Sequence, residues 1–281
     1  MKRPLSTIDL HSHSTASDGT LGPAALVAAA AAAGVTVLAL TDHDSTAGLD
    51  AAQAAAAAHG MRLVPGVEIS VSWERHTLHV LGLGIDPQAP ALQRGLARLQ
   101  AQRETRAEQI AARLDQAGLP DALARARALA GAGQVTRTHF ARALVAAGLS
   151  KNLKKAFQRH LSVGKPAYVK TAWADLGEAL DWIRAAGGEA VLAHPARYDL
   201  GPTTRSRLLE AFRQAGGTGM EVSCGSSEPA EVEQLAAEAQ AHGLLGSLGS
   251  DFHDPAQHWL GLGRLHPLPA TLPPVWSRWG L

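Results

Sequence analysis

The sequence contains a single cysteine, Cys224, and this scarcity excludes two kinds of cysteine-dependent protein. One cysteine cannot form an intramolecular disulfide, and it cannot supply the paired thiolates that cysteine-based zinc motifs need. Any metal site in this chain must therefore be built from histidine and carboxylate side chains.

Long apolar runs are also missing from the sequence. No stretch of about 18 residues is apolar enough to predict a membrane-spanning helix. The first residues, Met1–Ser6, become polar too early to contain the apolar region of a signal peptide. These absences predict a cytoplasmic protein that does not act at a membrane.

The charges that are present are divided unevenly along the chain. The net charge of the 281 residues is only +1, but residues 91–170 carry 15 Lys and Arg against 4 Asp and Glu, which leaves 11 against 21 elsewhere. A basic segment beside an acidic, histidine-bearing body predicts metal cations in the body and a phosphate-bearing substrate at the segment. The alternative is that the basic residues only form a solvated helical surface.

Strand patterns alternate with helical patterns over most of the chain, which predicts an α/β fold. Predicted strands cover residues 35–40, 62–65, 189–193, 219–222 and 244–248, with a strand pair at 71–85. Residues 89–161 show only helical patterns, one of them with Thr136 or Thr138 as its predicted N-cap. The alternation resumes at 164–169. We predict a body formed by residues 1–88 and 162–281 and an inserted basic helical subdomain formed by residues 89–161.

Potential metal ligands follow the predicted strands. A further predicted strand begins at Ile8 and leads into His11 and His13, which lie two residues apart, so both imidazoles can face one cation, and Asp18 follows on the loop. The later strand regions add His43, then Glu68 with His79, then His194, then Asp251 with His253. Nine ligands are too many for one ion and predict a cluster of two or three. Imidazoles mixed with carboxylates suit manganese, iron or zinc.

These motifs resemble those of the PHP (polymerase and histidinol phosphatase) superfamily, and they occur in the same order. The motifs are His11-Ser12-His13, Thr41-Asp42-His43, Gly66-Val67-Glu68, His79, His194-Pro195 and Gly249-Ser250-Asp251-Phe252-His253. Two further segments, residues 135–142 and 164–169, resemble the branch that contains 3′,5′-nucleotide bisphosphate phosphatases and the 5′-to-3′ exoribonuclease RNase AM. The resemblance implies a distorted (β/α)7 barrel with three metal ions at its C-terminal rim.

The resemblance also implies how the ligands are shared among three divalent ions, with manganese as the expected metal and iron or zinc as alternatives. One ion would be held by His11, His13, Glu68 and Asp251; the second by Glu68, His79 and His194; the third by Asp18, His43 and His253. Many superfamily members have a histidine at the position of Asp18, but a carboxylate can still act as a ligand. Glu68, His194 and Asp251 are predicted to be catalytic.

The substrate phosphate is predicted to contact Arg137, His139 and Lys165 from the insert and Arg197 from the body. Arg197 lies three residues after His194, and a guanidinium can bind a phosphate through two hydrogen bonds. For His139, a plain position on the helix surface is the alternative. Asp42 or Asp44 is a further candidate to orient one of the imidazoles, with a solvated position as the alternative.

The predicted function is metal-dependent hydrolysis of phosphoesters by a hydroxide that bridges the metals. The substrates would be the 3′-phosphate of 3′,5′-nucleoside bisphosphates, short 5′-phosphorylated RNA cut in the 5′-to-3′ direction, or both. A histidinol-phosphate phosphatase is the first alternative, and the basic insert argues against so small a substrate. A non-enzymatic, metal-stabilised binding module is the second, and the complete ligand set argues against it. We expect a monomer without an obligate protein partner.

Overall fold

The computed structural model describes residues 6–225, 227–257 and 260–281. The strands among these residues are β1 (Ile8–Asp9), β2 (Val37–Leu40), β3 (Arg62–Trp73), β4 (His76–Leu83), β5 (Ala174–Asp175), β6 (Glu189–Leu192), β7 (Gly219–Cys224) and β8 (Leu245–Gly249). The α-helices are α1 (Pro23–Ala33), α2 (Leu49–Ala58), α3 (Pro90–Gln116), α4 (Ala122–Ala130), α5 (Arg137–Ala146), α6 (Leu153–Ala156), α7 (Leu176–Ala185), α8 (Pro202–Gln214) and α9 (Pro229–Ala241). A π-helix (Phe157–Leu161) and two 3₁₀ helices (Pro195–Arg197 and Val275–Trp279) complete the described elements.

The sheet forms a nearly closed barrel with the order β1-β2-β3-β4-β6-β7-β8, and β5 pairs with β3 outside this path. Most neighbours are parallel, but β4 runs antiparallel to both β3 and β6. The ends of the path meet where the backbone amide of Leu10 donates to the carbonyl of Leu248 at 3.0 Å. These seven strands, with one reversed, confirm the predicted α/β fold and distorted (β/α)7 barrel.

Apolar side chains from several strands fill the barrel beneath the rim. Leu10, Val37, Val64, Leu81 and Val191 form one buried cluster. The C-terminal 3₁₀ helix adds Val275, with Trp276 and Trp279 packed against the cluster. Burial of this surface is the main favourable contribution to the stability of the barrel, and it leaves the polar strand ends to form the site.

The basic segment has a hydrophobic cluster of its own, formed by α3, α4, α5 and the residues that follow them. It includes Ile110, Leu114, Phe140 and Leu144. The N-terminal half of α3 instead packs on the barrel helices through Leu92, Leu96 and Leu99. One 27-residue helix, about 40 Å long, therefore joins the two cores. The separate cluster supports an inserted subdomain, but it spans Ala107–Val169, and the division at residues 89 and 161 remains a prediction.

Two local predictions have different outcomes. Thr136 is the N-cap of α5, as predicted, and its side chain accepts a hydrogen bond from the amide of Thr138 at 3.1 Å. The predicted return of the strand pattern at residues 164–169 is wrong, because the next strand is the two-residue β5 at Ala174–Asp175. Ala167 and Val169 instead pack into the cluster of the helical segment. Among the described residues, no helix is both long and apolar enough to cross a membrane.

Candidate metal centre

The fold brings all nine predicted metal ligands together at the C-terminal rim of the barrel. Their donor atoms form four overlapping groups, and the atoms within each group lie within 4.8 Å of one another. The groups are His13 with Asp18, His43 and His253; His11 with Glu68 and His194; His11 with His13 and Asp251; and His43 with Glu68 and His79. The spacing of two between His11 and His13 places their Nε2 atoms 3.1 Å apart.

Glu68 lies at the centre of this arrangement. Its Oε2 is 2.8 Å from Nδ1 of His43 and 3.3 Å from Nε2 of His13. Its Oε1 is 2.9 Å from Nδ1 of His79 and 3.0 Å from Nε2 of His194. One fully buried carboxylate therefore faces imidazoles from four different strand regions, which explains a charged residue inside the apolar strand β3.

The backbone is strained at three places around the cluster. Asp44, His194 and Asp251 have positive φ angles of 47°, 32° and 52°, in the left-handed region that non-glycine residues rarely adopt. Gly249 is required for a different reason: a Cβ there would lie 2.2 Å from the Cβ of His11. Backbone strain and close approach thus both occur where strands deliver ligands to the site.

The electrostatics of the cluster fit a bound cation. Burial would raise the pKa of Glu68, but His43, His79 and His11 more than offset it and hold this pKa well below its usual range. For Asp251, Arg197 and His11 outweigh burial and likewise lower the pKa. Five nitrogen or oxygen atoms of the cluster are buried without a hydrogen bond of acceptable geometry to any described residue: Asp18 Oδ1, His43 Nδ1, Glu68 Oε2, His79 Nδ1 and His194 Nδ1. Convergent imidazole nitrogens and carboxylate oxygens are the donor set that divalent metals bind.

Glu221 is a functional residue that sequence reasoning missed. Its Oε1 is 3.0 Å from Nδ1 of His11, and its Oε2 accepts a hydrogen bond from the amide of His194 at 2.7 Å. It is fully buried in β7. A carboxylate that holds the second nitrogen of a ligand imidazole fixes the ring orientation and the tautomer. A glutamate between Met220 and Val222 in an apolar strand was the signal that could have identified it.

Neither Asp42 nor Asp44 directly contacts the imidazole of a described residue, and Asp42 reaches His13 only through the Ser17 hydroxyl, which lies 3.5 Å from Nδ1 of that ring. Asp42 accepts hydrogen bonds from the hydroxyls of Ser14 and Ser17, both at 2.6 Å. Asp44 accepts from the amide of Ser70 at 2.7 Å and pairs with Arg103 at 2.6 Å. Both carboxylates instead tie together the loops that carry the ligands.

The structure places two of the four predicted phosphate contacts at one cavity and the other two away from it. Arg137 and Arg197 line a cavity of about 410 Å³ that also borders Asp18, His43 and His79. Lys165 is exposed and is not among the residues that line this cavity. His139 is buried, and its Nδ1 accepts a hydrogen bond from the amide of Thr136 at 3.0 Å. His139 therefore completes the N-cap of α5 and does not reach the cavity.

The cavity contains two further arginines that sequence reasoning did not select. Arg103 donates to the hydroxyl of Ser70 at 2.8 Å, and its guanidinium lies 5.2 Å from the ring centroid of Trp173. Arg106 lies 5.3 Å from the same ring, and its buried Nε has no hydrogen-bond partner in the described structure. Burial, together with the nearby charges of Arg137 and Arg103, lowers the pKa of Arg106 to about 9. An anion in the cavity would relieve this crowding of positive charge.

Comparison with known proteins agrees with this geometry. The PHP domain family matches residues 9–84. A 3′,5′-nucleoside bisphosphate phosphatase of Chromobacterium violaceum is 46% identical over 273 residues, which cover 97% of this chain and 96% of the relative. The chain belongs to the PHP family.

One more relative and one solved structure are similar to nearly the whole chain. The 5′-3′ exoribonuclease Rnm of Salmonella typhimurium is 45% identical over 96% of this chain and 93% of its own length. The structure of an amidohydrolase from Chromobacterium violaceum with bound sulfate and no metal superposes with a TM-score of 0.93. It is 46% identical and covers 97% of this chain and 95% of that one. These similarities confirm the predicted family and the similarity to hydrolytic phosphoesterases.

Proposed function

We propose that this PHP protein is a metal-dependent phosphoesterase for nucleotides that carry a 5′-phosphate. It would release the 3′-phosphate of 3′,5′-nucleoside bisphosphates and shorten 5′-phosphorylated RNA in the 5′-to-3′ direction. The observation that carries this proposal is the shared cavity: ligands of the cluster form one side, and the guanidinium groups of Arg106 and Arg137 lie on another. The names of the two relatives support the same substrate class.

The cofactors in this proposal are three divalent ions, with manganese as the expected metal and iron or zinc as alternatives. His11, His13, Glu68 and Asp251 would hold one ion; Glu68, His79 and His194 the second; Asp18, His43 and His253 the third. Divalent ions in such clusters polarise phosphoryl oxygens and lower the pKa of bound water toward neutrality. Because the ions supply this chemistry, no serine or cysteine nucleophile is required. Cys224 is buried, and burial raises the pKa of its thiol well above the usual value.

Arg106 and Arg137 are proposed to bind the 5′-phosphate. The unpaired Nε of Arg106 can donate to a phosphate oxygen, and the ring of Trp173 holds the guanidinium in place. The guanidinium of Arg137 lies 5.8 Å from the ring centroid of Phe157, and this contact holds the Arg137 side chain in place. Arg103 already pairs with Asp44, so its contribution is the positive potential of its side chain. With the 5′-phosphate bound there, the next phosphoester of the nucleotide would lie beside the cluster.

Arg197 is proposed to act at the Asp251 edge of the cluster. One of its guanidinium nitrogens pairs with Oδ2 of Asp251, and its side chain is 45% exposed. The other oxygen of Asp251 is 3.0 Å from Nε2 of His13. Arg197 therefore keeps Asp251 ionised and oriented as a ligand, while its free nitrogens can donate to the phosphoryl group that is cleaved.

Monomeric state and cytoplasmic location remain predictions.

A substrate panel tests the proposal. Purified protein is loaded with Mn²⁺ and assayed on adenosine 3′,5′-bisphosphate, histidinol phosphate and a 5′-phosphorylated RNA, with and without chelator. We expect hydrolysis of the bisphosphate and the RNA, little hydrolysis of histidinol phosphate, and loss of activity in chelator. Glu68→Gln is the matched control for the role of the cluster, because it keeps the shape of the side chain and removes its negative charge. Preferred hydrolysis of histidinol phosphate, or full activity in chelator, would contradict the proposal.

A further inference from the structure

A second cavity adjoins the arginine cavity at the cluster. It has a volume of about 390 Å³ and lies between Asp251 and His253 of the barrel and Leu153 and Phe157 of the helical segment. Thr138, Phe157 and Arg197 line both cavities. The cluster therefore lies between two adjoining spaces, and the proposed 5′-phosphate site occupies only one of them.

The helical segment beside the second cavity has an unusual charge pattern. Residues 122–174 contain no Asp or Glu and ten Lys or Arg. Within them, Lys151, Lys154, Lys155 and Arg159 are exposed and form no salt bridge with any described residue. Leu153 and Phe157, which line the cavity, belong to the same short segment. Uncompensated cations beside a cavity with an aromatic wall indicate a polyanionic ligand.

The same segment has a defined conformation. Asn152 is the N-cap of α6, and its side chain accepts a hydrogen bond from the amide of Lys155 at 2.9 Å. The chain then continues as a π-helix over Phe157–Leu161, a rare form that is frequent at functional sites. Leu161 is buried and belongs to the cluster of the helical segment. The backbone that carries Lys154 and Lys155 is therefore held next to the cavity by an anchored element.

We infer that the second cavity and the lysines of α6 bind the RNA strand on the 3′ side of the scissile phosphate. The inference rests on the proposed function, because the direction follows from the 5′-phosphate site. With the 5′-phosphate at Arg106 and the scissile phosphodiester at the cluster, the chain must leave on the Asp251 and His253 side. Phe157 offers a surface for base stacking, and Lys154 and Lys155 can neutralise the following phosphates. Single-stranded RNA then makes contacts that a mononucleotide lacks.

The test compares a long and a short substrate in matched variants. Lys154→Gln/Lys155→Gln removes two of these charges, and Arg94→Gln/Arg213→Gln removes two exposed charges from α3 and α8. The kcat/KM of each protein is measured with adenosine 3′,5′-bisphosphate and with a 5′-phosphorylated RNA of about ten nucleotides at several salt concentrations. Thermal unfolding checks that each variant is folded.

We expect the lysine variant to raise KM for the RNA and to leave kcat/KM for the bisphosphate unchanged. The log–log salt dependence with RNA should become shallower by about 1.4, because each phosphate contact to a single strand contributes about 0.7. The arginine control should behave like the parent protein with both substrates. Equal effects of the lysine variant on both substrates, or an unchanged salt dependence with RNA, would overturn the inference. Parent protein that cleaves neither substrate would instead overturn the proposed function, and the inference with it.

Discussion

At the scale of single residues, Glu221 connects two of the predicted metal ligands. It contacts the imidazole of His11 and the backbone amide of His194, and both contacts are buried. Carboxylates in this position are typically worth 10–100-fold in metal affinity or activity. We therefore predict that Glu221 affects the reaction indirectly, by positioning His11 and His194.

Glu221→Ala should weaken metal binding by about 10–100-fold because His11 loses the partner that orients its ring. Glu221→Gln should fall between Ala and the parent, since an amide oxygen can still accept one of the two hydrogen bonds. The measurement is kcat/KM as a function of Mn²⁺ concentration, with bound metal determined by elemental analysis. Unchanged metal dependence in Glu221→Ala would show that the contact does not support the centre.

At the scale of secondary-structure elements, α5 connects the insert to the proposed third metal position. Thr136 caps this helix, and its hydroxyl donates to Oδ2 of Asp18 at 3.0 Å. His139 completes the reciprocal cap from the first turn. Helix capping and the orientation of a predicted ligand therefore depend on the same side chain.

Thr136→Ala should lower the free energy of unfolding by about 1 kcal/mol, the usual cost of losing an N-cap. For a chain of this size, the melting temperature should fall by about 2–4 °C. Thr136→Ser keeps the hydroxyl and should restore most of this loss when both are measured by calorimetry. If the serine variant unfolds at the same temperature as the alanine variant, the hydroxyl has no such role.

Gly95→Ala tests how α3 packs on the barrel. A Cβ at Gly95 would lie 2.4 Å from the ring of Trp182 on α7, so the two helices must separate. Overpacking of this kind typically costs about 1–3 kcal/mol of stability. Gly177→Ala, inside α7, is the control, because a Cβ there makes only an ordinary contact of 3.4 Å with Asp175. Denaturant unfolding should show a loss for Gly95→Ala only, and equal stability of the two variants would contradict this packing.

Prediction from sequence succeeded for elements with a regular pattern. The predicted strands over 189–193 and 244–248 lie within one residue of β6 and β8 at each end. The convergence of the nine predicted ligands could be expected because each follows or lies on a strand of the sheet. The strand at 62–65 was predicted too short, since β3 continues to Trp73 by changing its partner from β2 to β4. Pairing partners of this kind depend on distant parts of the chain.

The arginine cavity could not be predicted in the same way. Arg103 and Arg106 belong to a long basic helix, whose pattern is typical of a solvated surface. Their position over Trp173 depends on how α3 packs on the barrel, and Trp173 lies far along the chain. His139 was misassigned for a related reason: its arginine neighbours indicated a phosphate site, but its imidazole occupies the position of a capping side chain.

At the scale of the whole molecule, the two oppositely charged parts of the chain meet around one cavity. The body supplies carboxylates and imidazoles, and the insert supplies Arg103, Arg106 and Arg137. Each part alone would bind ions of one sign. Together they can hold metal cations and a nucleotide phosphate next to each other, which is the central claim of the proposed function.

Hydrolysis of adenosine 3′,5′-bisphosphate, compared with adenosine 3′-phosphate, tests this claim most directly. Hydrogen bonds to charged groups contribute about 1.5–3 kcal/mol each, so the compound without a 5′-phosphate should have a kcat/KM lower by at least about tenfold. Arg106→Gln should reduce kcat/KM for the bisphosphate toward that of the 3′-phosphate and leave the 3′-phosphate value unchanged. Chromatography of the bisphosphate reaction should show adenosine 5′-phosphate as the product. Equal kcat/KM for the two compounds, or adenosine 3′-phosphate as the first product, would contradict the proposed anchoring of the 5′-phosphate.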